Sequence, residues 1–190
     1  MSYTPPAHED AVAEAAPWAR LLGDFYERLG LDLPLLERLK GEELPHPDRE
    51  LLVHSRDMTP TLEAFYHQPI GLRVLSRHRE RDVYFREVVL DAGGRAVEYG
   101  VIRILLEHFP LAVQEKILSE QTPLGAILLQ EGVAHFGWPQ AFFVVTADTR
   151  MQGALMLAES RTLYGRRNVL LDEKRRLLAE VIEILAPADT

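Results

Sequence analysis

The chain contains no cysteine, which excludes disulfides, thiolate chemistry and cysteine-held zinc together. It has no apolar run close to the roughly 20 residues a helix needs to cross a bilayer, so no membrane span is expected. Residues 1–20 mix proline, alanine, histidine and acids without a basic start and an apolar core; no export signal is readable, and the expected compartment is the cytoplasm. Basic residues are in deficit, 21 Lys and Arg against 29 Asp and Glu, for a net charge of −8. That balance argues against a nucleic-acid partner, because a phosphate backbone is bound by a clustered cationic excess. The two densest basic runs, 73–86 and 161–176, are interleaved with acids. The seven histidines form no i, i+4 pair around an acid, and neither a glycine-rich phosphate loop nor a Gly-x-Ser-x-Gly elbow is present. No metal and no cofactor is therefore expected.

What is present suits an ordinary globular domain, with 47% apolar and 26% charged residues in a chain of 190. Residues 1–50 read as an N-terminal helical arm packed on a main domain of residues 51–190. In the arm, 11–29 has helical apolar spacing closed by Gly30, and 34–39 suggests a second short helix. Pro45 and Pro47 mark a connection, and Thr59-Pro60 has the form of a cap followed by a first-turn proline. From Gly71 the pattern turns to strands: 72–75, 83–90 and 96–105 are rich in Val, Ile, Leu, Tyr and Phe. Asp91-Ala92-Gly93-Gly94 between the last two is hairpin chemistry. Two short amphipathic helices, 110–118 and 123–129, precede further extended segments at 142–145, 155–164, 168–171 and 177–185, with Gly165 as a turn. The last segment would also suit a helix. This order predicts an α+β fold, mainly antiparallel sheet with helices packed on one side.

Strand alternation puts Tyr84, Arg86, Val88 and Leu90 on one face and Val83, Phe85, Glu87 and Val89 on the other. Both faces are mostly apolar, so Arg86 and Glu87 each need a partner, either an ordinary ion pair or, for Arg86, a ligand carboxylate. Glu183 poses the same question beside Val181 and Leu185, as a salt-bridge partner or an acid catalyst. Tyr164-Gly165-Arg166-Arg167 suits a solvated turn with two surface arginines, or an anion site.

An ordered set of fragments carries a resemblance. It comprises Leu51-Leu52, Asp57-Met58-Thr59, Tyr84-Phe85-Arg86-Glu87-Val88-Val89-Leu90, Gly100, Thr122-Pro123-Leu124-Gly125, Tyr164-Gly165-Arg166-Arg167, and Glu183 four residues before Pro187. In this order and spacing the chain resembles the chorismate pyruvate-lyase (4-hydroxybenzoate synthetase) family, as a divergent branch. The resemblance implies a chorismate lyase-like sheet with an internal pocket. It also implies a cofactor-free lyase that splits chorismate into 4-hydroxybenzoate and pyruvate for ubiquinone or aromatic secondary-metabolite biosynthesis. It assigns Arg86 to the ring carboxylate, Met58 and Leu124 to the closure over the ring, and Glu183 to the polar end of the substrate and to proton transfer. In the best-known branch an arginine follows the glycine matched by Gly100, whereas this chain has Val101; Arg103 is the expected replacement for that second carboxylate contact. The stretch 131–153 is also longer than in that branch. Two alternatives stand beside the lyase. One is a non-catalytic domain of the same fold binding a small aromatic carboxylate, as in the effector modules of some bacterial transcription regulators, although no basic helix-turn-helix precedes the domain. The other is a same-fold enzyme acting on another chorismate-derived acid. The N-terminal helices suit either a cover for the sheet in a monomer or the contact of a homodimer.

Overall fold

The computed structural model describes residues 16–188. Its β-branched and aromatic segments form one seven-stranded antiparallel sheet. The strands are β1 Leu36–Leu39, β2 Ile70–Glu80, β3 Val83–Ala92, β4 Arg95–Leu105, β5 His135–Thr146, β6 Thr162–Asp172 and β7 Leu177–Leu185, arranged in the order β1-β5-β6-β7-β4-β3-β2. The β3–β4 hairpin turns at Gly93 and Gly94, both at positive φ (60° and 88°), where glycine carries no side-chain penalty.

Among the described residues six short α-helices cover the sheet: α1 Arg20–Arg28, α2 Asp48–Leu52, α3 Met58–Tyr66, α4 Leu111–Leu118, α5 Leu124–Gln130 and α6 Thr149–Leu155. The helices α2 to α5 are gathered on one side, over Tyr84, Val88, Leu90, Ile102, Leu170 and Val181. Against the other face lie α1, through Leu21, Leu22, Phe25 and Tyr26, and α6, through Met151 and Leu155; they bury Val89, Tyr99, Val101, Ile182 and Ile184. The spacing of the four α1 residues, adjacent pairs one turn apart, gives that helix its single apolar face. Each such side chain, fully buried, contributes about 1.5–3 kcal/mol. Glu87 points to this second face and is satisfied there, accepting from Tyr99 Oη at 2.8 Å and pairing with Arg150 of α6.

Several expected elements differ. Residues 34–39 supply an edge strand rather than a helix: β1 pairs with β5, Leu36 opposite Val145 and Leu39 opposite Phe142. Four residues are too few for periodicity to decide, and the open sheet edge does. Leu155 closes helix α6, opened by Asp148, whose carboxylate accepts from the Met151 amide at 2.8 Å, so extended structure begins only at Thr162. Gly165 is no turn; it sits inside β6, opposite Phe143 and Ile184. A Cβ there would lie 2.6 Å from the Glu183 carbonyl oxygen and 2.6 Å from the Phe143 ring, so the glycine permits a close approach. The cap of α3 is Asp57, two residues earlier than the expected Thr59. Of the segment 11–29, α1 takes Arg20–Arg28, and 11–15 lie outside the described residues. Among the described residues no helix is long and apolar enough to cross a membrane.

Candidate functional site

The sheet register lines up three rows of side chains under α3 and α5. The first runs Arg86, Ile102, Val181, Asn168 across β3, β4, β7 and β6; the second runs Val88, Gly100, Glu183, Arg166; the third runs Leu90, Glu98, Leu185. Rows on one face lie two residues apart, about 7 Å along the strands, and neighbouring strands are about 4.8 Å apart. Gly100 stands at the centre with no side chain. The space above it is a cavity of about 50 Å³. Arg86, Glu98, Asn168 and Glu183 form its polar lining, and Asp57, Met58, Thr59, Leu124 and Gly125 its roof. Gly125 lets the two roof helices touch, since a Cβ there would sit 3.2 Å from the Asp57 Cβ.

Arg86 is fully buried, and Nε, Nη1 and Nη2 all lack a hydrogen-bond partner. Burial pulls its pKa down from the ordinary arginine value, a tendency that Tyr84 and Glu120 oppose. Arginine keeps its proton in proteins, so the guanidinium remains a buried cation with no hydrogen-bond partner, lining the cavity. Glu98 is buried with Oε2 unpartnered. Burial, reinforced by the neighbouring Glu183, holds its carboxyl well above the usual carboxylate range against the opposing pull of Arg166, so the neutral form is favoured. Asn168 is 1% exposed and its Oδ1 is also unpartnered.

Glu183, by contrast, is engaged. It accepts from Nε of Arg166, which is fully buried and also donates through Nη1 to the carbonyls of Leu52 (3.0 Å) and His54 (2.9 Å). Arg166 thereby ties the segment after α2 to the sheet. The His54 ring lies 2.7 Å, through Nε2, from the Leu51 carbonyl, which places the proton on Nε2 and leaves Nδ1 facing Arg166 at 3.4 Å. Burial, then Arg166, pushes its pKa down to about 4. At the roof, the Asp57 carboxylate is held by His135 of β5 at 2.9 and 3.1 Å, and that contact raises the His135 pKa.

Of the residues singled out from the sequence, Arg86, Glu183, Met58 and Leu124 line this one cavity. Arg103 lies elsewhere. Alternation along β4 turns it, with Val101, to the opposite face, where it meets Glu180 at 2.6 Å. The expected second carboxylate contact from Arg103 is therefore absent from the cavity lining. Arg166, expected on a surface turn, is buried in mid-strand. Glu98 and Asn168 were not anticipated; their signal is alternation, Glu98 two residues before Gly100 and Asn168 two before Leu170 on a strand with no turn in it.

Neither a protein-family model nor a curated protein sequence matches the chain. The solved structures do show its fold. PhnF from Mycobacterium smegmatis superposes with a TM-score of 0.55 at 14% identity, covering 70% of this chain and 64% of that one. The effector domain of PhnF alone gives 0.54 at 14% identity, covering 70% and 90%. A ligand-binding domain from Bordetella bronchiseptica, assigned to the GntR-family transcriptional regulators, gives 0.51 at 14% identity, covering 63% and 86%. This chain thus spans about two thirds of PhnF and nearly the whole of the isolated PhnF domain. At these identities the likeness is one of fold: an α+β, chorismate lyase-like domain.

Proposed function

We propose that the chain is a non-catalytic binding domain for a small aromatic carboxylate, held in the cavity over Gly100 with its carboxylate on Arg86. One observation carries this reading: a fully buried guanidinium whose three nitrogens have no hydrogen-bond partner in the protein and which lines the cavity. Such a charge is costly unless something completes it, and a carboxylate matches the planar fork in two hydrogen bonds. The fold shared with effector and ligand-binding domains supports it. A cavity of about 150 Å³ takes benzene, whereas this one is about 50 Å³, so α3 and α5 part to admit a ring.

Isothermal titration with 4-hydroxybenzoate tests the reading. Saturable one-to-one binding is expected, abolished in Arg86→Met; equal affinity of wild type and Arg86→Met would sink it.

The second reading is the chorismate pyruvate-lyase. The observation in its favour is that Arg86, Glu183, Met58 and Leu124, four of the positions to which the resemblance assigns a role, line one cavity. In that reaction aromatisation drives the elimination, and the protein binds, orients and moves one proton. With Glu183 paired to Arg166, the protonated group at hand is Glu98. Equimolar pyruvate and 4-hydroxybenzoate from chorismate, lost in Arg86→Met, would establish the enzyme; binding without product leaves the binding domain.

A further inference from the structure

We propose that the Asp57–His135 pair is a latch on the roof of the cavity, held shut by a proton on His135, so that an entering ligand parts the pair and the proton leaves. The proposal rests on the binding-domain reading above and adds a control that neither the fold nor the resemblance supplies.

The latch joins a part that must move to a part that is fixed. A ring does not fit a cavity of about 50 Å³, so the roof has to part. Asp57 caps α3 and lines the cavity. A side chain at Gly125 of α5 would meet its Cβ at 3.2 Å, so the two roof helices abut at this residue. His135 begins β5 and is fixed in the sheet opposite Asp172. The contacts of 2.9 and 3.1 Å from its Nε2 to the two Asp57 oxygens therefore tie roof to sheet. One residue upstream the Arg56 carbonyl has only a long contact to the sheet, 3.4 Å from Arg166 Nη2, so releasing Asp57 frees the start of α3.

The geometry also counts protons. The His135 ring meets an acceptor at each nitrogen, the Val133 carbonyl 2.7 Å from Nδ1 and the Asp57 carboxylate at Nε2. A neutral imidazole has one N–H and satisfies one of them; the imidazolium satisfies both. Asp57 is the charge that acts on the ring, and its hydrogen bond raises the His135 pKa by more than burial lowers it. The other charges around the pair are engaged or solvated. Across the strand pair, Asp172 accepts from Arg176 and from the amides of Lys174 and Arg176. Glu131, which follows α5, is paired with Lys116, and Arg56 beside Asp57 is exposed. From α5 the roof receives Leu124 and Gly125, which carry no charge. Parted from Asp57, His135 returns toward the ordinary histidine value of about 6.5. Between that value and the raised one the liganded form holds fewer protons, so affinity rises with pH.

Isothermal titration with 4-hydroxybenzoate at pH 6, 7 and 8, in two buffers of different ionisation enthalpy, reads affinity and proton release together. With a carboxyl and a phenol titrating near about 4 and about 10, the ligand keeps one charge over this range. Wild-type affinity is expected to rise about tenfold from pH 6 to 8, the worth of one charge-assisted hydrogen bond. His135→Gln, which keeps a neutral donor toward Asp57, should bind at pH 6 about as tightly as wild type at pH 8. Wild type should release up to one proton more per ligand than this variant. Glu98, whose carboxyl is also held high, would answer an anion by taking up a proton, the opposite sign, in both proteins. Equal pH slopes and equal proton balances in the two proteins overturn the latch and leave binding intact. In wild type alone, saturating ligand should lower the NMR titration midpoint of His135, and an unmoved midpoint overturns the latch as well. If neither protein binds the ligand, the binding-domain reading fails, and the latch is judged on the unliganded chain. Hydrogen-exchange protection over residues 58–66 should then fall about tenfold from pH 6 to 8 in wild type and stay level in His135→Gln; the same change in both overturns it.

Discussion

A buried guanidinium that faces a cavity with no partner works against the stability of the unliganded fold, because its lost hydration is not replaced. Arg86→Met keeps most of the volume and removes the charge. Its unliganded form is expected to unfold at a higher temperature than wild type, by about 2–4 °C for each kcal/mol recovered, while losing 4-hydroxybenzoate binding. Differential scanning calorimetry decides, and a lower unfolding temperature would contradict the view that Arg86 waits for a ligand. His54 gives a second single-residue prediction. Its pKa is pushed down to about 4 in the fold, against about 6.5 when unfolded, so between these values the unfolded chain binds the extra proton and stability falls as the pH drops. His54→Asn should flatten the loss of stability between pH 6.5 and 4, measured by urea unfolding across that range. Arg86 and Glu183 were legible in the sequence because a charge inside an apolar strand is conspicuous. Glu98 was not: one acid in Ala96-Val97-Glu98-Tyr99-Gly100 reads as the solvent-facing member of an alternating strand, and only the roof of α3 and α5 turns that face into an interior.

Between elements, Arg166 does the joining. From β6 it reaches Glu183 on β7 and the backbone carbonyls that follow α2. Replacing it with Met strips a partner from a buried carboxylate and from two backbone carbonyls, one buried and one part-buried, so a loss of about 3–5 kcal/mol is expected in urea denaturation. Hydrogen exchange should rise first in residues 52–58, the stretch Arg166 holds down. The sequence disclosed elements whose signals are local: the β3–β4 hairpin through its paired glycines, and the strand character of β3 and β4. It did not disclose β1, α6 or the run through Gly165, because each is settled by a remote partner. These partners are the free edge of β5 for β1, the face of β4 for α6, and Phe143 with the Glu183 carbonyl for Gly165. A Gly-Arg-Arg sequence reads as a turn until the chain passing over it is known.

On the scale of the whole molecule, a ligand held at the cavity touches strands far apart in the chain. By mass action, 4-hydroxybenzoate at about 100 times its dissociation constant should add about 2.7 kcal/mol to the stability. Amide exchange should slow most in the β4 and β7 backbones, where Gly100 faces Glu183. Uniform slowing over the sheet would place the ligand elsewhere. The strand order has a deeper implication. In β2-β3-β4 and in β5-β6-β7 every neighbour in the sheet is also a neighbour in sequence, and the two triplets meet along a single seam, β4 against β7. Arg86 and Glu98 belong to the first triplet, and Arg166, Asn168 and Glu183 to the second. Neither half of the chain owns the cavity: it comes into being only when the seam closes, and an acid bound there as proposed would act as a clasp across the one joint on which the sheet depends.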